Sequence, residues 1–408
     1  MQIFKLTATS LFFLTITVPL ISFSGIVFAG WDISGSISGE VRVFPNEPAY
    51  PEQNDATISP SIVLEPEFVY EWNRNKDRLT FTPFARWDGD DNNRSHFDLR
   101  EASWLHVAND WDFVAGVSKV FWGVTESLHL VDIINQTDAV ENIDREDKLG
   151  QPMINLNLFR EWGTVSMFIL PGFRERTFPD DDARLRGPLP VDVDNAIFES
   201  SDKEHHIDGA VRWSHTLGQW DIGLAYFRGT SREPRLITAI NNGRTMLVPH
   251  YDQIDQTSLD LQLTTESTLW KLEAMTRGGQ GKRFAAAVAG FEYTFFGISE
   301  TSADLGILFE YLYDNRDTTT APATFADDDV FVGTRLTLND TQDTAFLIGA
   351  IVDRHSQATL LSLEAEQRLN DNWKLEIEGR FFNNIPNTSF LSGIREDDFI
   401  TLRVSRFF

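Results

Sequence analysis

Cysteine is absent from this chain of 408 residues. Its absence excludes disulfides, thiolate zinc sites and a lipidated-cysteine anchor. Long hydrophobic runs are missing too. Beyond the first thirty residues no apolar stretch reaches the roughly 18 residues that a membrane-crossing helix needs. Basic charge is scarce: 35 Lys and Arg stand against 61 Asp and Glu, for a net charge of −26. A nucleic-acid binder would carry a basic stripe, so that class is set aside. There is no Gly-x-Ser-x-Gly nucleophile motif, and the chain is read as a non-enzyme.

What is present is alternation. Over 33–43, Ile33, Gly35, Ile37, Gly39, Val41 and Val43 alternate with Ser34, Ser36, Ser38, Glu40 and Arg42. Period 2 is the signature of a strand with one apolar and one polar face. The same pattern recurs along the chain. Five times a tight polar turn is followed by tryptophan and then by another alternating strand, at Trp111, Trp162, Trp220, Trp270 and Trp373. Rings at one end of successive hairpins form an interfacial belt rather than a soluble core. About eighteen such strands fit the chain, with short and longer connections in alternation. Residues 30–408 divided by eighteen leave roughly 21 residues per strand with its connection, which suits membrane-spanning strands of about 9–11 residues.

The expected fold is all-β: one transmembrane antiparallel β-barrel over 30–408, of about eighteen strands with sixteen as the alternative. It has short periplasmic turns and long outer loops. Residues 1–29 are expected to be a cleaved signal peptide, because Lys5 precedes an apolar stretch that ends in Val27-Phe28-Ala29. The alternative, an N-terminal anchor, fits poorly with Pro19 and with the strand that follows at once.

The stretch DDFITLRVSRFF, 397–408, alternates Ile400, Leu402 and Val404 with Thr401, Arg403 and Ser405 and finishes on Phe408. It resembles the closing strand of Gram-negative outer-membrane barrels. That resemblance implies the cell outer membrane, contact with its lipid and lipopolysaccharide, and recognition of this strand by the barrel assembly machinery. Within 100–138, REASWLHVANDWDFVAGVSKVFWG followed by LVDIINQTD is similar to porins of the alginate-export-like group, which leaves the substrate open.

Three sets of residues are candidates for chemistry. The connection 121–150 carries Leu128, Leu130, Val131, Ile133 and Ile134, which would be stranded in water on an exposed loop. Folded inward, they would pack on the wall while Glu126, Asp132, Asp138, Glu141 and Asp144 face the water as a constriction. The alternative is a surface loop covered by its neighbours. Second, Arg42, Arg86, Arg174, Arg176, Arg277 and Arg380 fall on lumen-facing positions near the outer ends of strands, with Arg100 and Arg403 near outer strand starts. Free guanidinium groups there would favour anionic solutes. Paired with wall acids such as Glu40, Glu65, Glu376 and Glu378, they would only fill a polar interior. Third, Asp180-Asp181-Asp182, Asp327-Asp328-Asp329 and Asp88 with Asp90-Asp91 could hold a divalent ion. A charge run is more often solvated, so neither metal nor cofactor is assigned.

The function expected from sequence is a porin-like channel for passive transport of small hydrophilic, anionic solutes. The alternatives are a channel for acidic polysaccharide and a plugged barrel with an adhesive or structural role. A barrel hydrolase would need a serine beside His205 or His206. The sequence leaves the oligomeric state open.

Overall fold

The alternating segments pair in chain order, each with the next. The structure, a computed structural model, describes residues 30–241 and 243–408. The expected signal segment 1–29 lies outside the described residues. The first half contains β1 (Trp31–Val43), β2 (Ile58–Trp72), β3 (Asp77–Asp88), β4 (Phe97–Val107), β5 (Trp111–Ser118), β6 (Gln151–Arg160), β7 (Gly163–Pro171), β8 (Ile197–Phe198), β9 (Ile207–Leu217) and β10 (Trp220–Thr230). Then come β11 (Arg235–Asn241), β12 (Arg244–Tyr251), β13 (Gln253–Thr264), β14 (Thr268–Gly279), β15 (Gly281–Phe295) and β16 (Asp304–Asp314). The last are β17 (Asp328–Thr337), β18 (Ala345–Asp353), β19 (Thr359–Asn370), β20 (Trp373–Asn383) and β21 (Phe399–Phe407).

Eighteen of these strands form one antiparallel sheet. It closes where β1 pairs with β21, in a register that sets Ser38 opposite Ser405 and Arg42 opposite Thr401. Closure leaves no unpaired edge, which a β-structure in hydrocarbon requires. The remaining three strands, β8, β11 and β12, form a small separate sheet at the long-loop end. The sequence reading did not include it, because its hairpin lies inside a connection and crosses nothing.

Side chains sort by the pleat. Ile37, Val41, Ile62, Phe81, Ile154, Leu224, Phe309, Ile348 and Leu402 point outward and are exposed, while Ser38, Glu40, Arg42 and Ser405 point inward and are buried. An apolar exterior around a polar interior is a membrane barrel turned toward lipid. Trp111, Trp220 and Trp373 begin their strands, Trp270 sits two residues into β14 and Trp162 occupies the turn before β7. All five lie at the short-turn end, where an aromatic girdle belongs.

Candidate functional site in the lumen

The connection 119–150 folds into the barrel. Val131, Ile133 and Ile134 bury against Met153, Phe168, Leu170, Ala225, Phe227 and Ile254, the inward side chains of β6, β7, β10 and β13. Leu128 and Leu130 pack on a second apolar patch formed by Val288, Leu308, Leu312 and Phe331. Burying each aliphatic group stabilises the inward position by about 1.5–3 kcal/mol.

Two wall glutamates pin the entry of this loop. Glu273 on β14 is 0% exposed. Its carboxylate accepts from Val124 N at 2.7 Å, Thr125 N at 3.1 Å, Thr125 Oγ1 at 2.7 Å and Val131 N at 3.1 Å. Glu310 on β16 accepts from Glu126 N at 2.7 Å, Ser127 N at 2.8 Å and Ser127 Oγ at 2.5 Å. Charged acceptors gathering several backbone N–H groups make strong, directional anchors.

The loop acids do not simply face water. Glu141 meets Arg86 at 2.6 Å, Asp138 meets Arg100 at 2.7 Å, and Asp132 meets Lys148 at 3.1 Å, all with nearly buried carboxylates. Glu126 reaches Arg335 at 2.7 Å and Asp144 reaches Arg380 at 3.2 Å. This corrects the expectation of water-facing acids for Asp132, Asp138 and Glu141, whose carboxylates are buried in ion pairs, whereas Glu126 and Asp144 line open space in the lumen. Burial alone would raise Asp138, but His96 and Arg100 beside it hold its carboxyl down at about 2.

His129 adds a clamp. Its ring lies 3.4 Å from Glu146 and 3.6 Å from Glu273. Burial opposes the charged ring, yet the two carboxylates keep its proton up to about 10. A raised folded pKa contributes stability that is complete below the unfolded value near 6.5 and is lost as pH rises through about 10. The urea midpoint should therefore drop in His129→Gln below pH 6.5, and the gap to wild type should close by about pH 10.5. A gap independent of pH would show that the ring only fills space.

Six of the eight candidate arginines are ion-paired. Besides Arg86, Arg100 and Arg380, Arg174 pairs with Asp98 at 2.7 Å, Arg277 with Glu233 at 2.7 Å and Arg403 with Glu40 at 2.7 Å. Arg42 instead donates to Thr401 Oγ1 at 3.3 Å and lies over the Phe399 ring at 4.7 Å. Arg174 and Arg176 sit beyond the wall in the connection 172–206, since Pro171 and Gly172, with φ +106°, end β7. Among the described residues the Arg176 guanidinium has no ion pair.

The loop leaves space along one wall. A cavity of about 590 Å³ runs beside β17–β21, bounded by Ser127 and 143–146 of the loop. On β20 its lining extends from Glu376 to Phe382, roughly 20 Å of strand. Seven carboxylates and four guanidinium groups line it. Glu364 stands opposite Glu378, and Glu366 opposite Glu376, in the β19–β20 register. Like charges in direct cross-strand pairs repel. Arg380 bridges the first pair at 2.8 and 3.0 Å, and Lys374 bridges the second at 2.7 and 3.0 Å. The sequence signal was the acid-apolar alternation Leu363-Glu364-Ala365-Glu366 and Glu376-Ile377-Glu378. Glu273, between Leu272 and Ala274, and Glu310, between Phe309 and Tyr311, sit in the same alternation, which marks them as inward-facing but not as the residues that hold the loop.

Of the aspartate runs, Asp327 and Asp329 meet Asp353, and elsewhere His96, Asp138 and Glu141 converge, each set with ligand atoms within 4.8 Å of one another. Arg86 and Arg100 already engage the second set. His206 Nδ1 bonds Asp208 at 2.8 Å, and among the described residues no serine hydroxyl bonds either His205 or His206.

No family model matches this sequence, and no curated protein matches it. Solved structures do share the architecture. One is described as Wzi, an outer membrane protein involved in group 1 capsule assembly in Escherichia coli and a carbohydrate-binding β-barrel. It is 8% identical, with a TM-score of 0.50, over 90% of this chain and 83% of that one. A substituted form of the Rh. blastica porin is 10% identical with a TM-score of 0.44, over 93% of this chain and 100% of that one. At 8% identity the likeness to Wzi bears on the fold alone, and the closed eighteen-stranded sheet is read from this chain's own strand pairing.

Proposed function

We propose that this protein is a porin-like channel of the outer membrane for passive passage of small hydrophilic solutes. The observation that carries this reading is the inward loop 119–150, pinned to the wall yet leaving a charged cavity of about 590 Å³ beside β17–β21. Eighteen strands enclose enough width for an aqueous path even with one loop folded inside. The lining argues for neutral and cationic solutes, because most of the arginines expected to attract anions are engaged by carboxylates. The same acidity disfavours acidic polysaccharide as cargo. In this reading lipid surrounds the apolar belt, lipopolysaccharide borders the long-loop end, and the assembly machinery reads β21.

Planar-bilayer recording under a salt gradient tests the reading. Steady openings with a cation-selective reversal potential are expected. Openings with anion preference would overturn the charge assignment. Folded, heat-modifiable protein that never conducts would overturn the channel itself and favour a plugged barrel.

A further inference from the structure

The cavity beside β17–β21 has three chemically distinct parts. The first is the glutamate quartet on β19 and β20, joined by Asp144 from the loop. Five carboxylates share two cations, Lys374 and Arg380, so each acid has a partner but the group keeps a surplus of negative charge. Four of the five line the cavity from the wall, and their side chains are 22–48% exposed to it. The second is Arg380 itself. It lines the cavity and is 7% exposed, yet its Nη1 has no hydrogen-bond partner among the described residues. A buried donor left unbonded costs about 1–3 kcal/mol unless a visiting acceptor meets it. The third is an apolar strip of Phe325, Phe331, Leu347, Ile351 and Leu360. Such a strip offers nothing to a strongly hydrated inorganic ion.

A ligand that answers all three parts needs a positive group for the carboxylates. It also needs a neutral oxygen acceptor for Arg380 Nη1, and a carbon face for the strip. A carboxylate in place of the neutral oxygen would meet the surrounding glutamates and be repelled. We propose that the cavity is a binding site for hydroxylated organic cations, the class of the amino sugars, centred on Glu364, Glu378 and Arg380. Ring hydroxyls donate to the carboxylates and accept from Arg380, while the ammonium group lies among the glutamates. The site would slow such solutes in passage and select them over neutral sugars of equal size. This rests on the channel reading and narrows its solute class.

The test uses the full chain in planar bilayers, with glucosamine and N-acetylglucosamine as probes. The two share a ring, but only the first is cationic. Glucosamine should interrupt the ion current at about tenfold lower concentration, the effect of one charge-assisted contact. The difference should vanish in the Glu364→Gln, Glu378→Gln double variant and shrink in Glu366→Gln, Glu376→Gln. Conducting channels that both sugars leave untouched, or block equally, overturn the proposal and leave the channel reading standing. Calorimetry of wild-type protein in detergent separates the remaining outcomes. Charge-dependent glucosamine binding without conductance would keep the site and remove the channel. Neither binding nor conductance would remove both.

Discussion

Glu273→Ala is expected to release the inward loop 119–150 and, in the proposed channel, to raise single-channel conductance at least about twofold, since an unobstructed eighteen-stranded lumen is far wider than the present cavity. The carboxylate is buried in the β14 wall and gathers Val124 N, Thr125 N, Thr125 Oγ1 and Val131 N. Truncation leaves these donors with no acceptor in a dry pocket, at about 1–3 kcal/mol for each that stays buried. It also removes one of the two carboxylates around His129. The loop avoids that cost by swinging into water. Val131, Ile133 and Ile134 then lose their apolar neighbours, so the gain in solvation is partly offset, and the loop should exchange between positions. Current noise should rise together with the mean conductance. Arg145 and Lys148 lie in the same loop, so limited trypsin should cut the variant there while the barrel stays folded. A variant with wild-type conductance and wild-type resistance to trypsin would show that Glu310 and the apolar contacts hold the loop without Glu273.

Glu40→Ala should be the most destabilising single truncation in the wall. Glu40 on β1 is 2% exposed. It meets Arg94 at 2.6 Å, Arg86 at 3.3 Å and Arg403 at 2.7 Å. These arginines come from the connection 89–96, from β3 and from β21, so one carboxylate ties the closing seam, through Arg86, to the inward loop. Glu141 and Asp88 share Arg86 and Arg94 with it. Without Glu40 three guanidinium groups remain in one pocket with too little negative charge. Breaking a buried network in this way costs about 3–5 kcal/mol. The temperature at which the folded band converts on a gel should fall, and the urea midpoint should fall with it. Arg403→Ala in the Glu40→Ala background should recover part of the loss, because it removes one of the stranded charges. A urea midpoint equal to wild type would mean that water entering the seam replaces the carboxylate.

The strands were legible because a barrel wall repeats one simple demand. Each spanning segment must alternate, since one face meets lipid and the other meets water, and period 2 survives in a linear string. The expected count of about eighteen strands matches the eighteen of the closed sheet, and the Trp residues mark the short-turn end. The inward course of 119–150 could also be read, from five aliphatic residues that water would not accept. The partners of its acids could not. Asp138 finds Arg100 on β4 and Glu141 finds Arg86 on β3, at a sequence separation that no local pattern encodes. The arginines show the same limit: their inward direction follows from alternation, while their pairing depends on which strand closes against which.

The sequence by itself determined the wall: its period, its two faces, its aromatic girdle and its closure in even strand number. Those properties are local, and each residue's role follows from its neighbours two positions away. The tertiary structure decided the interior. Whether a guanidinium group is free or neutralised, which acids anchor the loop, and where a cavity survives all depend on charges brought together from distant strands. Such contacts vary steeply with distance, so only the folded arrangement sets their balance.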